Sequence, residues 1–286
     1  MSNDIILFAT YWNEKDWIEA SLAQIDRIDP VEIIICEGCF DLSRRKHSTD
    51  GTRSIIEKFV QERDNASLVS PSRLSRLQSI RSFVQILHNI NSEFCLNISK
   101  PFLKYLFESP YRRNQAITFM KMVNRSEYWR PGMWFMTYDC DQFYTEEVLE
   151  AFSSCTEDSD FGLLRADERT FINSFDAYTT VYEDRSYNNM PHKIYSDTII
   201  QPTRDILRIC THRENQFRPT NFWSDHLYVN QVTSIHAGSY HHYKLRPESR
   251  QAETWELGDR SEPEWDRYQL QKFDRKHPEI IKKHIL

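Results

Sequence analysis

The sequence predicts an α/β fold with a mainly parallel sheet flanked by helices, and three observations carry that prediction. Short unbroken apolar runs recur at 5–9, 31–36 and 133–136, as expected of strands buried on both faces. Between and after the first two runs, apolar residues fall at helical spacing. Polar residues follow each run at once, where the loops beyond the carboxyl ends of parallel strands gather ligands.

Taken in order, Ile5-Ile6-Leu7-Phe8-Ala9 reads as the first strand, and Ile18, Leu22 and Ile25 stripe the helix after it, with Pro30 marking the turn. Residues 31–36 repeat the strand pattern, 37–51 form a polar loop, and Ile55, Ile56, Phe59 and Val60 give the second helix its inner face. A third strand is expected at 67–70 and a third helix on Leu77, Ile80, Val84 and Leu87. The pattern at 93–110 is irregular; a helix is expected over 113–123, and Pro131-Gly132 resets the chain before the strand at 133–136. Thr145 reads as a helix N-cap, with Glu146 and Glu147 in the first turn, where the dipole favours acids. Beyond residue 165, short aromatic strands alternate with polar loops, and a charged helical tail closes the chain.

Composition excludes several function classes. A formal charge of −6 is too mild and of the wrong sign for a nucleic-acid binder driven by phosphate contacts. Six glycines make about 2% of the chain where ~7% is usual, and none are spaced for a glycine-rich phosphate loop. Any phosphate must therefore be held by a metal or by side chains. No basic region precedes the first apolar run, and no apolar stretch approaches the ~18 residues that span a bilayer, so a cytoplasmic protein without a transmembrane segment is expected. The six cysteines read as free thiols; Cys36 and Cys39 have C-x-x-C spacing without a second pair to complete a zinc site.

Asp139 and Asp141 are the centre of the chemical argument. In an extended chain, residues i and i+2 point the same way, so both carboxylates are expected to face one spot beyond a strand end. Like charges held together call for a cation, and oxygen ligands of this kind suit Mg²⁺ or Mn²⁺. The plainer reading is a solvated acidic turn leading into the helix at Thr145.

Four short motifs, in order, resemble those of family 2 nucleotide-sugar glycosyltransferases of the GT-A (Rossmann-like) fold: Trp12-Asn13-Glu14, Glu37-Gly38-Cys39-Phe40-Asp41, Arg113-Asn114 and Asp139-Cys140-Asp141. The likeness departs from the family pattern at Glu37 and Cys39, which stand where Asp and Ser are usual. It covers about the first 165 residues. It implies one continuous domain with a nucleotide-sugar-binding half at 1–165 and a less regular acceptor side at 166–286.

The activity implied is metal-dependent transfer of a sugar, with inversion, from a nucleotide diphosphate donor such as a UDP-sugar to a hydroxyl of a saccharide or glycoconjugate acceptor. Donor contacts are then expected from Thr10, Tyr11, Asn13, Glu14, Glu37, Asp41, Arg113, Asn114 and Asp139. Glu37 and Asp41 would accept hydrogen bonds from the base or ribose, and Tyr11 or Phe40 would stack on the base. The competing reading of Glu37 is a loop carboxylate paired with Arg44 or Arg45.

Mn²⁺ or Mg²⁺ is expected on Asp139 and Asp141, with His242 as third ligand and His236 and His241 as competitors; Lys244, Arg246 or Arg250 would neutralise the diphosphate. Asp225 is the candidate general base, with Asp167, Glu168 and Asp176 as alternatives. Two other readings stand beside this one. A haloacid-dehalogenase type of phosphotransferase fits poorly, because its acidic motif belongs near the chain start. A GT-A-fold glycan- or nucleotide-binding module without turnover is the other.

Overall fold

The computed structural model describes residues 3–75, 78, 110–157, 162–172, 174–179, 190–194, 198–201, 208–211, 234–246 and 271–281. The first apolar run becomes β1 (Asn3–Tyr11), in which Ile5, Ile6, Leu7, Phe8 and Ala9 are all buried. Helix α1 (Ile18–Ile28) buries Ile18, Leu22 and Ile25 as the spacing requires, and ends where Asp29 takes a left-handed conformation and its N–H bonds the Ile25 carbonyl. Then follow β2 (Pro30–Glu37), α2 (Thr52–Gln61) and β3 (Ala66–Val69). The helix expected on Leu77, Ile80, Val84 and Leu87 lies outside the described residues.

Helix α3 (Pro110–Arg125) leads to β4 (Trp134–Asp139), β5 (Gln142–Tyr144) and α4 (Glu146–Glu157). The Thr145 carbonyl accepts from the Val148 and Leu149 N–H groups, which starts α4 at the expected residue. Further on lie β6 (Leu163–Ile172), β7 (Ser174–Thr179), β8 (His192–Lys193), β9 (Thr198–Gln201), β10 (Arg208–Thr211), β11 (Ser234–Arg246) and β12 (Gln271–Lys272).

The architecture is α/β, with a mainly parallel sheet flanked by helices and compatible with a Rossmann-like fold. Neighbouring strands run β3-β2-β1-β4-β8-β6-β7-β12, and β11 joins β6 to β5. The pairs β3–β2, β2–β1 and β1–β4 are parallel, whereas β8 is antiparallel to both β4 and β6. Side-chain alternation splits the core in two. Ile5, Leu7 and Ala9 of β1 pack with α1, α2 and α4 on one face; Ile6 and Phe8 pack with Phe119, Met122 and Val123 of α3 on the other. Each fully buried Ile, Leu or Phe side chain among these contributes about 1.5–3 kcal/mol by leaving water.

β6 crosses residue 165, and the same sheet takes strands from both sides of that position. One expectation for the tail is corrected. Within 271–281 the chain forms β12 against β7 and a single 3-10 turn at Glu279–Ile281 rather than a helix. Phe273 and Ile281 anchor this segment in an apolar cluster with Phe143 and Phe171, so tertiary burial outweighs the helical propensity of the charged residues between them.

Candidate functional site

Chain order and spatial order diverge at β1. The chain runs from β1 outwards to β2 and β3, then returns to place β4 on the opposite side of β1. Crevices at such switch points, beyond the carboxyl ends of the strands, are where open α/β sheets bind ligands. Thr10 is paired with Cys36 of β2 on one side and with Asp139 of β4 on the other, and Tyr11 is paired with Glu37. Three of the motifs singled out in the sequence therefore meet at one sheet edge.

A crevice opens there between the strands and α3. Phe8, Phe40 and Phe119 line its apolar wall, and Thr10, Gln115 and Asp139 supply polar groups. Alternation along β1 and β4 turns Phe8 and Thr10, and Thr137 and Asp139, toward the same face. Phe8 and Phe119 meet edge to face at 5.0 Å, which stiffens the wall. Phe40, expected as a stacking ring, lines the crevice.

The expectation that Asp139 and Asp141 share a direction through extended chain is corrected. β4 ends at Asp139, Cys140 and Asp141 form a turn, and β5 begins at Gln142. Asp139 at the strand end and Asp141 on the turn are both half-buried. Tyr138 Oη donates to the Gln142 carbonyl at 3.0 Å and so closes the turn from behind. Burial first, and the charge of Asp141 more weakly, push the Tyr138 phenol up, keeping it a donor.

Among the described residues no three metal-ligating side chains converge. Two carboxylate donors on one turn nevertheless match what Mg²⁺ or Mn²⁺ takes from a protein while leaving positions for phosphate oxygens. The backbone register sets His242 of β11 opposite Gln142, next to Asp141. His241, a competitor for the metal, is corrected to a core role: it is 1% exposed, meets Phe171 and Phe273 edge to face, and has Nε2 3.5 Å from Arg169 Nη1. Lys244 and Arg246 continue β11, Arg113 lies in the first turns of α3, and Asp225 falls outside the described residues.

Several expected donor contacts turn inwards instead. Tyr11 is 1% exposed and its hydroxyl meets Ser21 Oγ at 3.0 Å, so its ring has no face free for a base. Glu37, equally buried, anchors the loop after β2: Oε1 accepts from the Ser48 N–H at 2.7 Å, and Oε2 lies 2.8 Å from His47 Nδ1 and 3.6 Å from Arg53. Its partners are thus His47 and Arg53, not Arg44 or Arg45; Arg44 pairs with Asp41. Asn114 is fully buried, accepting from the Leu74 N–H through Oδ1 and donating to the Phe40 carbonyl. Its amide ties the segment after β3 to the loop after β2. Glu37 and Asn114 share one physical cause: the loop backbones present N–H and C=O groups that need partners once buried.

The two loops also clasp each other. The Asn13 N–H donates to Ser48 Oγ, the Thr49 N–H donates to Asn13 Oδ1, and the Glu14 N–H donates to Thr52 Oγ1. Asn13 holds φ at 54°, a left-handed conformation that Asn tolerates better than most residues. Gly38, at φ 135°, is required by a close approach, because a Cβ there would lie 2.4 Å from the Lys46 carbonyl oxygen. Asp41 stands on the exposed part of this loop, its carboxylate accepting from the N–H and hydroxyl of Ser43.

Sequence reasoning missed Gln24. It is fully buried in α1 and reaches the Asp139–Asp141 turn. The signal was present: Ser21, Gln24 and Ile28 fall at i, i+3 and i+7, a second inward stripe carrying two polar residues. No protein-family model matches the sequence, and no curated protein matches it. No helix among the described residues is long and apolar enough to cross a membrane.

Proposed function

We propose that the chain is a metal-dependent glycosyltransferase of the GT-A kind, moving a sugar from a nucleotide diphosphate donor, a UDP-sugar by resemblance, to a hydroxyl of a saccharide or glycoconjugate. One observation carries the proposal: Asp139, first acid of the Asp-x-Asp motif, ends β4 beside Thr10 at the switch point of the sheet, on the rim of a crevice walled by aromatic rings. Asp139 and Asp141 are the groups that would hold Mn²⁺ or Mg²⁺, with His242 as the third. Such an ion supplies positive charge against the negative charge that develops on a departing diphosphate. Thr10 and Gln115, both half-buried where they line the crevice, offer hydrogen bonds to the donor. Lys244 and Arg246 remain the side chains proposed to neutralise the diphosphate, and Asp225 the base that takes the acceptor proton.

A binding module without turnover is the second reading, favoured by the inward commitment of Tyr11, Glu37 and Asn114. The test is release of UDP from a panel of UDP-sugars with Mn²⁺. Asp139→Asn and Asp141→Asn should each lower release by about a hundredfold or more. Release unaffected by both substitutions would refute the assignment; UDP binding without release from any donor, across a set of acceptors, would favour the module.

A further inference from the structure

We infer that Gln24 is a positioning residue that sets the geometry of the Asp139–Asp141 turn, an inference that rests on the proposed role of those carboxylates in metal binding. One amide on α1 holds both flanks of the turn. Nε2 donates to Tyr138 Oη at 2.8 Å and to the Gln142 carbonyl at 2.9 Å, and Oε1 accepts the Tyr144 N–H at 2.9 Å. Both donor hydrogens and the acceptor are thereby used.

The amide has only one workable orientation. Reversed, it would set its oxygen against the Gln142 carbonyl and its NH₂ against the Tyr144 N–H, two repulsive contacts in a site with no solvent. Gln24 therefore discriminates sharply among positions of the turn, as a group making weaker or solvated bonds would not. The turn needs such a device. It carries two like charges and leads into the three-residue strand β5, so an amide that fixes both flanks limits how far the carboxylates can part. Metal affinity then depends on how far the turn is preorganised before the ion arrives. The same helix starts at the loop clasped to the β2–α2 loop, where the Ile18 N–H bonds the Glu14 carbonyl. α1 is thus a rigid link between the loops at the ends of β1 and β2 and the acidic turn at the end of β4.

The test compares the parent with Gln24→Met, which keeps the length and removes all three hydrogen bonds. Gln24→Glu keeps the acceptor for Tyr144 and serves if the Met variant does not fold. Leu22→Ala is the control, a cavity in the same helix that removes none of the three hydrogen bonds to the turn. Mn²⁺ affinity is read by electron paramagnetic resonance well below the unfolding temperature, and exchange of the Tyr144 amide is read in metal-free protein. Gln24→Met should weaken Mn²⁺ binding by about tenfold or more and speed Tyr144 exchange by a similar factor, while Leu22→Ala leaves Mn²⁺ affinity unchanged despite its lower stability. Asp139→Asn, run alongside, separates the two levels. If it abolishes Mn²⁺ binding and Gln24→Met does not weaken it, the positioning role is overturned and the metal reading stands. If Asp139→Asn leaves Mn²⁺ binding intact, the metal reading fails and takes the metal-positioning role with it, even where Tyr144 exchange shows that the clamp is real.

Discussion

Replacing Glu37 by Gln removes a charge and almost no volume, so its effect separates a loop anchor from a nucleotide ligand. The carboxylate is 1% exposed, and Gln can still accept the Ser48 N–H that now bonds Oε1 at 2.7 Å. What is lost lies at Oε2, where an NH₂ group would face His47 Nδ1 at 2.8 Å and the Arg53 guanidinium at 3.6 Å. A hydrogen bond to a charged group contributes about 1.5–3 kcal/mol. Since the His47 and Arg53 side chains are 31% and 38% exposed, solvent screening favours the lower part of that range, about 2 kcal/mol. With an unfolding entropy of ~2.1 cal/mol/K per residue, that loss lowers Tm by roughly 3–4 °C for a chain of this length. Thermal unfolding measures the shift, and titration calorimetry with UDP and Mn²⁺ measures any direct part in binding. A Tm changed by less than about 1 °C together with lost UDP affinity would refute the anchor and restore Glu37 as a ligand.

Gly38→Ala should be more damaging than its size implies, because the new Cβ meets the Lys46 carbonyl at 2.4 Å in a backbone region that L residues avoid. A loss of about 1–3 kcal/mol is expected, with the loop after β2 displaced, and an unchanged denaturation midpoint would remove the constraint. Asp41 tests the electrostatics of the same loop. The Ser43 N–H, then the Ser43 hydroxyl, and more weakly Arg44 and Arg73, hold its carboxyl below the ordinary range against a small opposing effect of burial. Its folded form gives up the proton at lower pH than the unfolded chain, so its contribution to stability is present above pH ~3.9 and is lost as pH falls through the folded value. Ser43→Ala should move the Asp41 midpoint up toward ~3.9 in carboxyl-resolved NMR titration; an unmoved midpoint would show that the hydroxyl bond has no effect.

Much of the parallel half was legible in the residue order. Unbroken apolar runs became β1, β2 and β4 within one to three residues, since a strand buried on both faces leaves that trace in local composition. The helix stripe of Ile18, Leu22 and Ile25 was legible for the same reason. The strand ends that bring these residues together were legible too, because Thr10 and Glu37 follow directly on apolar runs and Asp139 lies three residues beyond one. Their orientation was not. Glu37, Asn114 and Tyr11 look like ligand contacts in a motif, yet each answers a buried backbone group or hydroxyl contributed by a segment 10 to 74 residues away in sequence. Such demands arise only when loops are packed.

The sequence by itself determined the α/β layering, the strand ends at which polar residues gather, and the exclusion of a glycine-rich phosphate cradle. Periodicity and composition are short-range properties, and these features need nothing longer. Tertiary structure alone decided that Asp139 ends a strand while Asp141 lies in the turn after it, and that Gln24 reaches that turn from another element. Both follow from satisfying polar groups in a packed interior, where the partner is fixed by proximity in space and not by spacing along the chain.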